Sequence, residues 1–142
     1  MKSARITESP IDLETITRSV SSDESGAVAL FLGVVRSRND GRDVTGIEYS
    51  AYREMAEKEM LRILDEAGDR FHVDDMIIEH RIGSLKIGDP SIAVAAAHRH
   101  RQPALDALRY IIDETKARAP IWKLEHYVDG TREWVNAGAR SR

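Results

Sequence analysis

Lys116-Ala-Arg-Ala-Pro-Ile-Trp-Lys123 is the stretch on which the fold turns. Pro120 has no backbone N–H, and its ring drives the preceding residue out of the α region, so a helix arriving from the N-terminal side stops near Arg118. Behind the break, Leu105, Leu108, Ile111, Ile112 and Thr115 recur at helical spacing after Pro103, a residue suited to a helix start. Ahead of it, residues 121–128 read as a strand closed by the turn signal Asp129-Gly130. Lys116 therefore lies on the last helical turn and Lys123 on the strand. Two cations presented by different elements can converge on one cavity, and convergent cations point to an anionic ligand.

Working outward, Ser9-Pro10 followed by Leu13, Ile16, Thr17 and Val20 predicts a short helix with the serine as cap and the proline in its first turn. Residues 26–35 are a continuous apolar run of strand type, which feeds the polar loop of residues 36–43. Residues 44–52 alternate well enough to pair with that buried strand. Residues 53–70 carry Ala56, Met60, Ile63, Leu64 and Ala67 on one helical stripe, which predicts a core-facing helix. Residues 73–82 and 91–97 read as strands, the second behind the turn Gly88-Asp-Pro90. The predicted order α, β, β, α, β, β, α, β suits an α+β fold with helices packed on a largely antiparallel sheet. Residues 137–142, small and basic, are expected to be disordered.

With 142 residues the chain has length for one domain, expected to span residues 1–142. Its 21 basic and 24 acidic residues leave a formal net charge of -3, so no global field favours nucleic acid or an anionic membrane. Any basic site is local. No apolar run resembles a signal peptide or a membrane span, and a cytoplasmic location is expected. The absence of cysteine removes disulfides, thiolate metal ligands and thiol nucleophiles together. A metal site would need imidazole and carboxylate, and no recognised ligand spacing supports one.

Each candidate residue has a plainer structural reading beside the functional one. Lysines at positions 116 and 123 can bind an anion or do chemistry; a lysine near a helix C-terminus also complements the macrodipole, and one on an edge strand deters aggregation. His98-Arg99-His100-Arg101 stands where a strand gives way to a helix, a place that suits phosphate or a solvated loop equally. His98 and His100 could share a metal only with a third ligand. Arg36, Arg38 and Arg42 surround Asn39-Asp40-Gly41 in a loop that either orders around an anion or serves as a hairpin connection. Trp122 and Trp134 could stack on an aromatic heterocycle, and are more simply read as burying hydrophobic area; Asp65, Glu66 and Asp69 are read as solvent-facing charge.

Taken in order, several blocks resemble the large, catalytic subunit family of molybdopterin synthase: Gly33-Val-Val-Arg36, Tyr52-Arg-Glu-Met-Ala56, His80-Arg-Ile-Gly-Ser-Leu-Lys-Ile-Gly-Asp89, Ala97-His-Arg99 and Lys116-Ala-Arg-Ala-Pro-Ile-Trp-Lys123-Leu-Glu125. The resemblance implies an α/β-hammerhead fold and a sulfurtransferase of molybdenum cofactor biosynthesis. In that reaction cyclic pyranopterin monophosphate receives two sulfurs from the C-terminal Gly-Gly thiocarboxylate of a small ubiquitin-like carrier subunit. The missing cysteines fit a sulfur that arrives already activated, and the end Ala139-Arg-Ser-Arg142 has no Gly-Gly of its own. The resemblance further implies Lys116 and Lys123 as catalytic residues, and Val34, Val35, Arg36, Leu124 and Glu125 as walls of the substrate pocket. His98 and Arg99 bind the substrate phosphate on this reading, from the neighbouring protomer of a homodimer within a heterotetramer. No cofactor or metal is implied. Val34 departs from the more polar or basic residue expected in some members, and Leu105 from a common aromatic residue. A non-catalytic module holding a nucleotide or acidic tail, and a histidine-based metal hydrolase, are the rival classes.

Overall fold

In a computed structural model that describes residues 1–136, the chain adopts an α+β fold of three helices and two sheets. The first sheet has the order β1 (Lys2–Thr7), β5 (Asp75–Arg81), β7 (Pro90–His98), β2 (Ala27–Val34). β1 pairs with β5 in parallel, and the other two pairings are antiparallel. The second sheet runs β3 (Arg38–Asn39), β4 (Arg42–Ala51), β8 (Ile121–Tyr127), β9 (Arg132–Asn136), with β6 (Gly83–Lys86) also on β4. Residues 137–142, expected to be disordered, lie outside the described residues. No helix among those described is long and apolar enough to cross a membrane.

Strand alternation sorts the first sheet into two cores. Met76, Ile78, Ile92, Val94 and Ala96 face α2 (Arg53–Phe71) and α3 (Arg101–Arg118), where they meet Met60, Ile63, Leu64, Ala107 and Ile111. Ile77, Ala93, Ala95 and Ala97 face the other way, onto Ile16 and Val20 of α1 (Leu13–Val20). The stripe read on α2 is its buried face residue for residue: Ala56, Met60, Ile63, Leu64 and Ala67. On α3 the buried residues are Ala104, Ala107, Ile111 and Thr115, whereas Leu105 is exposed.

Several expectations are corrected. The cap of α1 is Asp12, whose carboxylate accepts from the backbone N–H groups of Glu14 and Thr15; Ser9 lies outside the helix. β2 is an edge strand with Val28 and Leu30 exposed, and its partner is β7. β4 instead joins the second sheet. β1, β3, β6 and β9 escaped the sequence reading because none offers more than one or two inward apolar residues, too few for a period-2 signal. Trp134 stands on β9 with 63% of its surface exposed, against the expectation of burial, while Trp122 packs edge-on to Tyr52 with ring centroids 4.8 Å apart.

The helix of the opening stretch ends as its proline requires. α3 stops at Arg118, and Ala119 is extended at φ −69°, ψ 131°. Arg118 fixes this end to α2. Its guanidinium donates to Glu59 and Glu66 across the helix pair and to Glu114 one turn back, at 2.7–3.1 Å. Glu66, read from sequence as solvent-facing charge, also accepts from Tyr110 Oη at 2.6 Å. Arg118 first, then Tyr110, hold its carboxyl down at about 2. Replacing Arg118 by Ala leaves three carboxylates facing one another without their cation. We expect a loss of roughly 2 kcal/mol in urea unfolding followed by circular dichroism, larger than an isolated surface pair would give.

Candidate active site

Where the two sheets meet the end of α3, a cleft of about 420 Å³ opens. Three local features build it. Pro120 turns the chain from α3 into β8, whose alternation sends Ile121, Lys123 and Glu125 to the cleft and Leu124 to the opposite side. A register shift after Gly33 re-aims the end of β2, so that Val34, Val35 and Arg36 reach the cleft in succession. Asp40 and Gly41, at φ 51° and 76°, close the β3–β4 hairpin in the two-residue form that needs positive φ at both positions. That hairpin brings Asn39 inward.

The interior is organised by a buried carboxylate. Glu125 is 1% exposed. Its Oε1 accepts from Asn39 Nδ2 at 2.6 Å and lies 3.7 Å from Lys123 Nζ, an ion-pair distance too long for a hydrogen bond. Asn39 Oδ1 accepts in turn from Arg36 at 2.8 Å. Glu125 Oε2 and Tyr127 Oη are buried without a hydrogen-bond partner. Burial pushes the Lys123 ammonium below the usual lysine range; Glu125 opposes the shift, and Arg36 and Lys116 reinforce it. Lys116 completes the cationic wall, with its Nζ 5.9 Å from the centre of the Phe31 ring.

Tyr49, His80 and Ser91 also line the cleft. His80 is buried, and its Nδ1 lies 2.9 Å from the Arg81 carbonyl. A carbonyl only accepts, so Nδ1 carries the proton. Desolvation draws the imidazole down to about 4, which leaves it neutral at pH 7.

The structure thus brings together Val34, Val35, Arg36, Lys116, Lys123 and Glu125. Leu124 is buried on the far side of β8, and its side chain is absent from the cleft lining. His98 and Arg99 belong to a separate depression with Ser22, His72, Asp74 and His100. His98 ends β7 six residues beyond Ile92, roughly 20 Å along the strand at the usual rise, and Arg99 follows it. The His98 and His100 rings stand 6.0 Å apart, and no group of three potential metal ligands occurs among the described residues. Sequence reasoning passed over Asn39, Tyr49, His80 and Ser91. Asn39 had been grouped with its turn, and His80 lay within a quoted block without a role.

A family model described as MoaE protein matches residues 6–118. The chain belongs to the MoaE family. It is 46% identical over 124 residues to the molybdopterin synthase catalytic subunit of Pyrococcus abyssi, covering 87% of this chain and 83% of that protein. The crystal structure of molybdopterin synthase from Staphylococcus aureus superposes with a TM-score of 0.88 at 35% identity, over 92% of this chain and 95% of that one. A protein–protein complex of subunits 1 and 2 of molybdopterin-converting factor from Helicobacter pylori shares the fold, with a TM-score of 0.76 at 23% identity over 98% and 92% of the two chains.

Two measurements test this MoaE-family cleft as described. Asn39→Ala removes the hydrogen-bond donor to a buried carboxylate and should cost on the order of 1–3 kcal/mol in chemical denaturation. Asn39→Asp should cost more above pH 7, because it sets a second carboxylate against Glu125. His80 gives a pH signature. Its folded pKa of about 4 lies below its unfolded value, so its contribution is complete above about pH 6.5 and is lost as pH falls toward 4. The loss reaches roughly 3 kcal/mol, and it begins above the carboxylate range in which Glu66 titrates. A His80→Gln protein, which has nothing to titrate there, should lack this slope.

Proposed function

We propose that the cleft is the sulfur-transfer site of a molybdopterin synthase, with Lys116 and Lys123 as its reacting lysines. The chain acts as the catalytic subunit, an enzyme of molybdenum cofactor biosynthesis. The observation that carries the site assignment is the convergence of Arg36, Lys116 and Lys123 on one cleft beside a buried carboxylate.

The chemistry follows from that arrangement. A carrier's C-terminal thiocarboxylate is an anion on an extended tail, and the three cations attract it where neighbouring apolar walls lower the dielectric. Lys116 and Lys123 stabilise the charge that develops as sulfur leaves its acyl carbon. Burial makes Lys123 release its proton more readily than an ordinary lysine does, which equips it to move protons or to hold the acyl group briefly. Val34, Val35, Arg36 and Glu125 form the wall on which cyclic pyranopterin monophosphate rests.

His98 and Arg99 stand too far along β7 to serve this same cleft within one copy of the chain. A second copy can bring its own pair to the substrate phosphate, which supports a homodimer. Two small carrier subunits, each with a Gly-Gly thiocarboxylate, then complete a heterotetramer. The complex of subunits 1 and 2 described for the Helicobacter protein supports a small-subunit partner.

Purified chain, thiocarboxylated carrier and cyclic pyranopterin monophosphate, mixed together, should yield the dithiolene product. An intact complex that makes none would sink the reading. Lys116→Ala and Lys123→Ala should each lower turnover by about a hundredfold or more, with unchanged circular dichroism. Wild-type rates in either variant would remove that lysine from the chemistry.

A further inference from the structure

The cations account for one wall of the cleft and leave its floor unexplained. Arg36, Lys116 and Lys123 are hydrogen-bond donors only, and they suit anionic groups. The floor carries different chemistry: the imidazole of His80, the phenol of Tyr49 and the hydroxyl of Ser91, all uncharged side chains. Burial raises the Tyr49 phenol above its ordinary range and keeps it protonated.

His80 is the member whose geometry is most constrained. It is 6% exposed and lines the cleft. Its Nδ1–H is committed to the Arg81 carbonyl at 2.9 Å, and the Tyr49 ring meets it edge-on with centroids 5.0 Å apart. Nε2 is consequently the bare, accepting nitrogen, and it takes no hydrogen bond from any described residue. Ser91 does not fill it, since its hydroxyl is directed to the Gly33 carbonyl at 3.3 Å. An accepting nitrogen that no described side chain or backbone group answers, on a residue that lines a cavity, is available to a donor from whatever occupies that cavity.

We propose that His80 Nε2 accepts a hydrogen bond from an N–H or O–H group of the bound heterocycle, and that the floor of His80, Tyr49 and Ser91 is the subsite that orients an uncharged, donor-bearing ring system. The proposal rests on the reading of this cleft as the pyranopterin site. It divides the work: the cationic wall holds the charged ends, and the floor fixes the ring face, so the carbons to be sulfurated are held toward Lys116 and Lys123. A ring system offering only acceptors would leave Nε2 desolvated and unpaired, which is a basis for selecting a reduced heterocycle with ring N–H groups.

The test uses the whole chain and cyclic pyranopterin monophosphate without the carrier, so that no sulfur can move. In protein labelled with nitrogen-15 in histidine, the His80 Nε2 resonance should begin as that of a bare imidazole nitrogen and shift toward the hydrogen-bonded range as substrate is added. His80→Phe should weaken substrate binding about tenfold or more by calorimetry. Carrier binding should be unchanged. If the wild-type chain binds the substrate while the Nε2 resonance stays in place and His80→Phe binds equally well, the floor assignment is wrong and the cleft assignment stands. If the wild-type chain does not bind the substrate at all, both fall. Should His80→Phe fail to fold, the resonance of the wild-type protein decides alone.

Discussion

A carboxylate with almost no contact with water has to be answered by hydrogen bonds and opposite charge, and Glu125 imposes that requirement on everything around it. Asn39 answers one oxygen directly, and Lys123 supplies the nearest cation. Satisfying Asn39 at its other end fixes Arg36. A single buried charge on β8 thereby determines where the β3–β4 hairpin sits, although the hairpin is more than eighty residues away in sequence. The remaining oxygen, Oε2, is equally buried, and the Tyr127 phenol two residues further along β8 is raised by burial and by the Glu125 charge.

The second constraint is mechanical. A lysine is a long, rotamer-rich side chain, and two of them hold a common focus only if their backbones are fixed. Lys123 gains this from its place in β8, between β4 and β9. Lys116 gains it from the last turn of α3, which would fray as helix ends do without tertiary support. Arg118 supplies that support through Glu59 and Glu66 of α2. Pro120 then spares the chain a long connection, so the strand starts within three residues of the helix end. The stability of the helix pair and the geometry of the site are therefore linked through one guanidinium.

What the sequence made legible follows the range of the interactions involved. The stop of α3, the buried stripe of α2 and the α+β class rest on local rules, and the structure agrees with them. The pairing of residues 44–52 with residues 26–35 was misjudged because apolar alternation identifies a strand without naming its neighbour; β4 and β2 lie in different sheets. The same limit applied to the site. Lys116 and Lys123 could be picked out because the proline between them is a local signal. Asn39 could not, since a turn asparagine and one that clamps a buried carboxylate look identical until β8 is beside it. His80 was hidden for a related reason: five histidines carry no ranking in sequence, and only burial and the Arg81 carbonyl fix which nitrogen of this one is free to accept.

The electrostatics of the cleft also constrain how a ligand can arrive. The chain is net acidic, with a formal charge of -3, so its far field does not draw anions from solution. Of the three cations, Lys123 is largely buried and balanced in part by Glu125, Lys116 is half-buried and Arg36 is exposed. Beyond a screening length of about 8 Å in physiological salt, an approaching anion senses little of them. Attraction strengthens once the anion is inside, where the dielectric is lower and the wall is donor-rich. A globular partner's charged surface cannot enter a cleft of about 420 Å³, but a narrow chain end can.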